Sequence, residues 1–148
     1  MGTVNDIIQH KGAAVRSVCA TATVLEAARS MNEHRIGSLT VMLDGGLVGI
    51  LTERDILTRV VAEHRDPEAT RVGEVMTRDV LTCRPDTRLN EARAVMRHRR
   101  IRHLPVMDGA ELKGMVSIGD LNQAEAGILV ETIQSLEAYI SGGTSVAT

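Results

Sequence analysis

The chain carries the same text twice, 65 positions apart. Glu26-Ala27 recurs as Glu91-Ala92, Met31 as Met96, Arg35-Ile36 as Arg100-Ile101, Val41-Met42 as Val106-Met107, Gly49 as Gly114 and Asp55 as Asp120, without a gap. A register held that far marks an internal duplication. One unit of this size buries too little apolar surface to stand alone, so the two copies are expected to share one core. Each copy closes on a common polar signature, Gly49-Ile50-Leu51-Thr52-Glu53-Arg54-Asp55 and Gly114-Met115-Val116-Ser117-Ile118-Gly119-Asp120. A hydroxyl and a carboxylate are therefore duplicated along with the apolar positions.

Both copies follow one order of elements: strand, helix, strand, strand, helix. In the first, Val15 to Cys19 fits a strand, and Thr23 three residues before Glu26 is a capping box that starts a helix. Arg35-Ile36-Gly37 ends it, with the glycine suited to the left-handed position. Leu39–Leu43 and Leu47–Leu51 read as strands around an Asp44-Gly45-Gly46 turn. A helix over Glu53 to about Glu63 would then put Ile56, Leu57, Val60 and Val61 on one face. The second copy repeats this with strands at Val80–Cys83, Leu104–Met107 and Leu112–Val116, a turn at Asp108-Gly109, and helices from about Arg88 and Gly119. The fold class is thus α/β (α+β), two β-α-β-β-α repeats plus a C-terminal helix. The expected segments are 1–65 for the first repeat with its lead-in, 66–79 for a connector, 80–125 for the second repeat, and 126–148 for the last helix and a tail from Ser141. Leu129, Ile133, Leu136 and Ile140 form an apolar stripe on that helix, to be covered by its own domain or by a second copy.

Composition removes several classes of function. Of 148 residues, 43% are hydrophobic and 24% charged, and the apolar runs are too short to cross a bilayer. Met1 to Gly12 lacks the zones of an export signal, so a cytoplasmic protein is expected. Cys19 and Cys83, one per repeat and without CxxC spacing, read as small core residues. A net charge of -2 offers nucleic acid no global attraction. Phe and Trp are absent and Tyr139 is the one aromatic residue, so a bound base would lie between aliphatic side chains rather than on a stacking platform. No catalytic order of Ser, His and Asp, no GxxxxGK and no HExxH is present, and His34, His98 and His103 lack the paired spacing of metal ligands. An enzyme and a metal site are not expected.

The duplicated Gly-x-x-Thr/Ser-x-x-Asp is where chemistry concentrates. Where a strand runs into a helix, the glycine admits a ligand close to the backbone, the hydroxyl sits among free N–H groups that favour an anion, and the acid lies one turn on. A carboxylate there can accept from both hydroxyls of a ribose. Thr52 and Ser117 can equally cap their helices, with Asp55 and Asp120 steadying the first turn, and retention of both residues in both copies favours the ligand role. The basic run His98-Arg99-Arg100-Ile101-Arg102-His103 is unequal between copies. Arg99 and Arg100 suit a helix C-terminus, whereas Arg102 and His103 lie at the mouth of a strand within reach of a phosphate. The first copy has Arg54 where the second has Gly119.

With these motifs in view, the chain resembles a tandem pair of cystathionine-beta-synthase (CBS) domains, a Bateman module, from about Val15 to Gln123. The signature after Leu104-Pro105-Val106, and Val75-Met76-Thr77 ahead of the second copy, carry the likeness. Thr40 departs from it, standing where the second copy has Pro105. The resemblance implies two repeats packed about a pseudo-twofold axis and two clefts for an adenosine nucleotide (AMP, ADP, ATP or NAD). It implies ribose binding by Asp55 and Asp120 and hydroxyl contacts from Thr52 and Ser117. Adenine would sit among Ile50, Met115 and the backbones of Ile36-Gly37-Ser38 and Arg102-His103-Leu104, beside Pro105, with Arg102, His103 and Arg54 on phosphate. A regulatory, energy-sensing homodimer that signals occupancy to a separate effector protein is the implied function. The alternative is an interaction or nucleic-acid adaptor whose clefts bind nothing.

Overall fold

Capping boxes open the helices where the sequence places Thr or Ser before an acid. The Thr23 hydroxyl accepts from the Glu26 amide at 3.2 Å and the Glu26 carboxylate from the Thr23 amide at 3.1 Å, starting a helix that runs Val24–His34. In the computed structural model, which describes residues 2–12 and 15–140, the order is α1 Val4–Lys11, β1 Ser17–Cys19, α2 Val24–His34, β2 Ser38–Leu43, β3 Gly46–Thr52, α3 Glu53–Ile56, α4 Val72–Val75, α5 Leu89–Arg99, β4 His103–Asp108, β5 Glu111–Ser117 and α6 Ile118–Ile140. The expected tail from Ser141 and the side chain of Leu129 lie outside the described residues.

The two hairpins are alike. β2 pairs antiparallel with β3 from Ser38↔Thr52 to Leu43↔Gly46, and β4 with β5 from His103↔Ser117 to Asp108↔Glu111. Asp44 and Gly45 turn the first at φ of 51° and 78°, the positive pair that a tight hairpin demands. The third strands differ. β1 joins β2 in parallel, whereas Val80–Cys83 is no strand and pairs with β4 by a single Cys83↔Val106 bridge. Thr40 and Pro105 account for this. The Thr40 amide donates to the Arg16 carbonyl at 3.3 Å and its hydroxyl contacts Ser17, while proline has no N–H for the equivalent bond.

Each repeat builds its own apolar cluster, and each borrows a helix. Val24, Ala27, Met31, Leu39, Val41, Leu51 and Val60 form the first with Val72, Val75 and Met76 from around α4. Ala92, Met96, Leu104, Val106, Val116 and Leu121 form the second with Val4, Ile7 and Ile8 from α1. Helix α1 thus packs with the second repeat, and part of 66–79 with the first. The docking is the same in both: the Val72 amide donates to Ala22 as Val4 does to Thr87, and Gly73 to Ala20 as Asn5 does to Pro85. Ile8, 6% exposed, should therefore cost about 2–5 kcal/mol when cut to alanine, measurable by denaturant melting.

Four local readings are corrected by the geometry. The left-handed residue after α2 is Arg35 (φ 53°), not Gly37, because the Ile36 amide must turn back to the Met31 carbonyl at 3.0 Å while its side chain joins the core. The helix after Thr52 widens into a π-turn over Leu57–Val61. That wider turn rotates the face, so Val60 is buried while Leu57 and Val61 are 61% and 62% exposed. Cys19 is exposed; Cys83 alone is buried, and its burial pushes the thiol up to about 11. The last helix is not separate but one continuous α6, whose Leu121 enters the core and whose Ile133, Leu136, Tyr139 and Ile140 are exposed. Among the described residues no helix is long and apolar enough to cross a membrane.

Candidate functional site

Both signature hydroxyls do cap, reciprocally. Thr52 Oγ1 accepts from the Asp55 amide at 3.2 Å and Asp55 Oδ2 from the Thr52 amide at 3.0 Å. Ser117 Oγ and Asp120 Oδ2 repeat the pair at 3.1 and 2.9 Å. The entry to each following helix is likewise duplicated: the Glu53 amide donates to the Gly37 carbonyl and the Ile118 amide to the Arg102 carbonyl. The cap engages Oδ2 of each carboxylate. The signature glycines serve the protein itself. A Cβ on Gly49 would lie 2.5 Å from Met76 Sδ and 2.9 Å from the Thr77 carbonyl, and one on Gly114 would strike Ile8. They admit the borrowed segments rather than a ligand.

One cleft of about 700 Å³ opens beside Asp55. From the first repeat it is walled by Gly37, Ile50, Thr52, Glu53, Arg54, Asp55 and Arg59, and from the second by Arg100, Ile101, Arg102, His103 and Pro105. Thr77, Asp79, Val80 and Leu81 close it from between them. The structure therefore brings Thr52, Asp55, Arg54, Ile50 and Gly37 together with Arg102, His103 and Pro105. Ile36, Ser38, Leu104, Met115, Ser117 and Asp120 are not part of this wall. Leu104 is fully buried in the second core, and Ser38 pairs with Thr52 across the hairpin.

Asp55 is 6% exposed and well supplied with donors. The Thr77 hydroxyl donates to Oδ1 at 3.0 Å, and Arg59 Nε stands 3.9 Å from the same oxygen. Arg59 is held in turn by the carbonyls of Val75 and Met76. Sequence reading passed over both partners. Arg59 follows Asp55 by one helical turn, a spacing that could have exposed it; Thr77 lay inside the recognised Val75-Met76-Thr77 phrase without a role. Asp120 is served differently. Lys11 Nζ, from the last turn of α1, donates to its Oδ2 at 2.8 Å and to the Met115 carbonyl at 3.0 Å. Burial pushes the Asp120 carboxyl up, but Lys11 and the Ser117 amide outweigh it and hold it below the usual carboxylate range.

His103 stands between the two acids' surroundings. Burial depresses its pKa, opposed by the negative charges of Asp120 and Glu53. An unfolded histidine titrates near 6.5, so the folded state resists a proton that the unfolded chain accepts. Stability from this group is full above that value and is lost as pH falls toward the depressed folded value. The melting temperature should fall as pH drops through and below about 6.5, and His103→Gln should flatten that part of the profile. Among the described residues no three of His, Cys, Asp and Glu gather as a metal-ion group.

Comparison with known proteins agrees with this architecture. The family model described as "CBS domain" matches residues 4–62 and 72–127, so the chain belongs to the CBS domain family as a tandem pair. Each matched segment begins with the helix that packs into the other repeat's core. The chain is 38% identical over 150 residues to the mitochondrial CBS domain-containing protein CBSX3 of Arabidopsis thaliana, covering 95% of this chain and 73% of that protein. It is 39% identical to the CBS domain-containing protein YhcV of Bacillus subtilis, covering 82% and 84%. A solved putative signal-transduction protein with CBS domains from Burkholderia ambifaria superposes with a TM-score of 0.80 at 39% identity, over 83% of this chain and 93% of that one.

Proposed function

We propose that this CBS pair is a regulatory sensor that takes an adenosine nucleotide in the cleft beside Asp55 and passes its occupancy to a separate partner protein. One observation carries the reading: a nearly buried carboxylate and four guanidinium groups, Arg54, Arg59, Arg100 and Arg102, line a single cleft. Its volume is in the range of ligand sites. The acid suits a ribose diol, whose hydroxyls replace Thr77 on Oδ1. The guanidinium groups outnumber the three carboxylates of Glu53, Asp55 and Asp79 and suit phosphate. This balance favours ADP, ATP or NAD over AMP. Ile50, Ile101 and Pro105 supply the apolar wall for adenine.

Because both repeats wall the cleft, a nucleotide in it ties them together. It favours one relative arrangement by no more than its differential affinity for the two. Leu57, exposed on the cleft wall, and the exposed Val61 suit a homodimer of modules in a reducing, cytoplasmic setting, so that occupancy is read at an interface.

With one Tyr and no Trp, protein absorbance at 280 nm is small, and a co-purified adenine shows as a dominant 260 nm band. Calorimetric titration with AMP, ATP and NAD then measures the empty site. Saturable binding supports the sensor. No binding of any of the three, together with salt-dependent binding of RNA, would favour the adaptor reading instead.

A further inference from the structure

We infer that Lys11 reserves Asp120, the second repeat's counterpart of Asp55, so that Lys11 decides how many nucleotides this module takes. The inference rests on the nucleotide reading of the first cleft and extends it. The two acids are twins in their caps and differ in what faces them. Asp55 Oδ1 accepts from the Thr77 hydroxyl at 3.0 Å, which a ribose hydroxyl can replace like for like, while Arg59 stands farther off at 3.9 Å and is itself held by the Val75 and Met76 carbonyls. Asp120 instead meets an ammonium, which donates at 2.8 Å to Oδ2, the oxygen that also takes the Ser117 amide, and so neutralises the carboxylate as a whole; the same ammonium is anchored a second time on the Met115 carbonyl. Lys11 is tethered by α1, whose Val4, Ile7 and Ile8 are buried in the second core, so it competes for Asp120 as an intramolecular ligand that dilution does not remove.

The origin of this difference lies in the borrowed helices. α4 ends at Val75, and the chain runs on extended, so that Thr77 bridges to Ile50 by two backbone bonds. α1 docks in the same way but stays helical through Lys11, with the Gly12 amide closing on the Ile8 carbonyl at 2.9 Å. That additional turn carries the lysine over Met115, the counterpart of Ile50, and onto Asp120. Ligand selection by the second repeat also lacks a cation at Gly119, where the first has Arg54.

The test is calorimetric titration of the whole chain with ATP, with native mass spectrometry counting bound nucleotides. Wild type should take one ATP per chain. Lys11→Met, which keeps the aliphatic stem, should take two, the second at least about tenfold tighter than any second binding in wild type. Lys11→Arg, which keeps the charge, should stay at one, and Lys11→Met/Asp120→Asn should return to one. Two comparable sites in wild type, or one site in Lys11→Met, would overturn the assignment while leaving the first cleft intact. A second wild-type site lost in Lys11→Met would overturn it by making the lysine a phosphate ligand. Binding in neither wild type nor Lys11→Met would instead bring down the nucleotide reading beneath it.

Discussion

Asp55→Asn should weaken ATP binding by about 100-fold while leaving the protein folded. The amide is nearly the same shape, so its oxygen can still accept from the Thr52 amide, and the α3 cap survives with a loss below about 1 kcal/mol. What disappears is the charge on the oxygen that faces Thr77 and the cleft. Two bonds from ribose hydroxyls to a carboxylate contribute about 3 kcal/mol together, and to an amide much less. Calorimetric titration gives the affinity and thermal melting confirms the fold. An unchanged affinity in a folded variant would mean that the diol is held elsewhere.

Leu51→Ala should cost about 2–5 kcal/mol, lowering the melting temperature by on the order of 10 °C. Leu51 is fully buried in the first cluster, on the strand that leads directly into Thr52 and the cap of α3. A cavity there loosens both the core and the turn that aims Asp55. Leu57→Ala, only six residues on, should change stability by less than about 0.5 kcal/mol because the side chain is already in solvent. If the proposed homodimer uses this face, the effect should appear in sedimentation as a shift from dimer toward monomer. Equal destabilisation by the two variants would contradict the burial that the π-turn imposes.

These contrasts show what a linear reading reaches. Periodicity and capping chemistry are local, and so the Thr23-Glu26 box, the Asp44-Gly45 turn and both signature caps stand where the residues place them. The π-turn at Leu57–Val61 is not local in that sense. An α-helical wheel puts Leu57 beside Val60, and only the wider turn separates them. The strand expected at Val80–Cys83 had a local obstacle in Pro105, but that obstacle acts on a neighbour more than twenty residues away.

For the candidate cleft, Thr52 and Asp55 stood out in the sequence because duplication exposes what is kept besides apolar residues, while their counterparts Ser117 and Asp120 lie off its wall. Arg102 and His103 were legible from their excess over the first copy. Lys11 was not, since nothing in Met1 to Gly12 says that this helix docks on the far repeat, and its partner Asp120 is over a hundred residues away. The signature glycine was misread for the same reason: the body it admits at Gly49 is Met76, supplied by a segment that sequence order assigns to a connector.

A crystal structure grown with saturating ATP tests the central claim most directly. It should show both ribose hydroxyls within hydrogen-bonding distance of the Asp55 carboxylate, Thr77 displaced from Oδ1, and the phosphates among Arg54, Arg100 and Arg102. Nucleotide density away from Asp55, or an empty first cleft at saturating ATP, would contradict it.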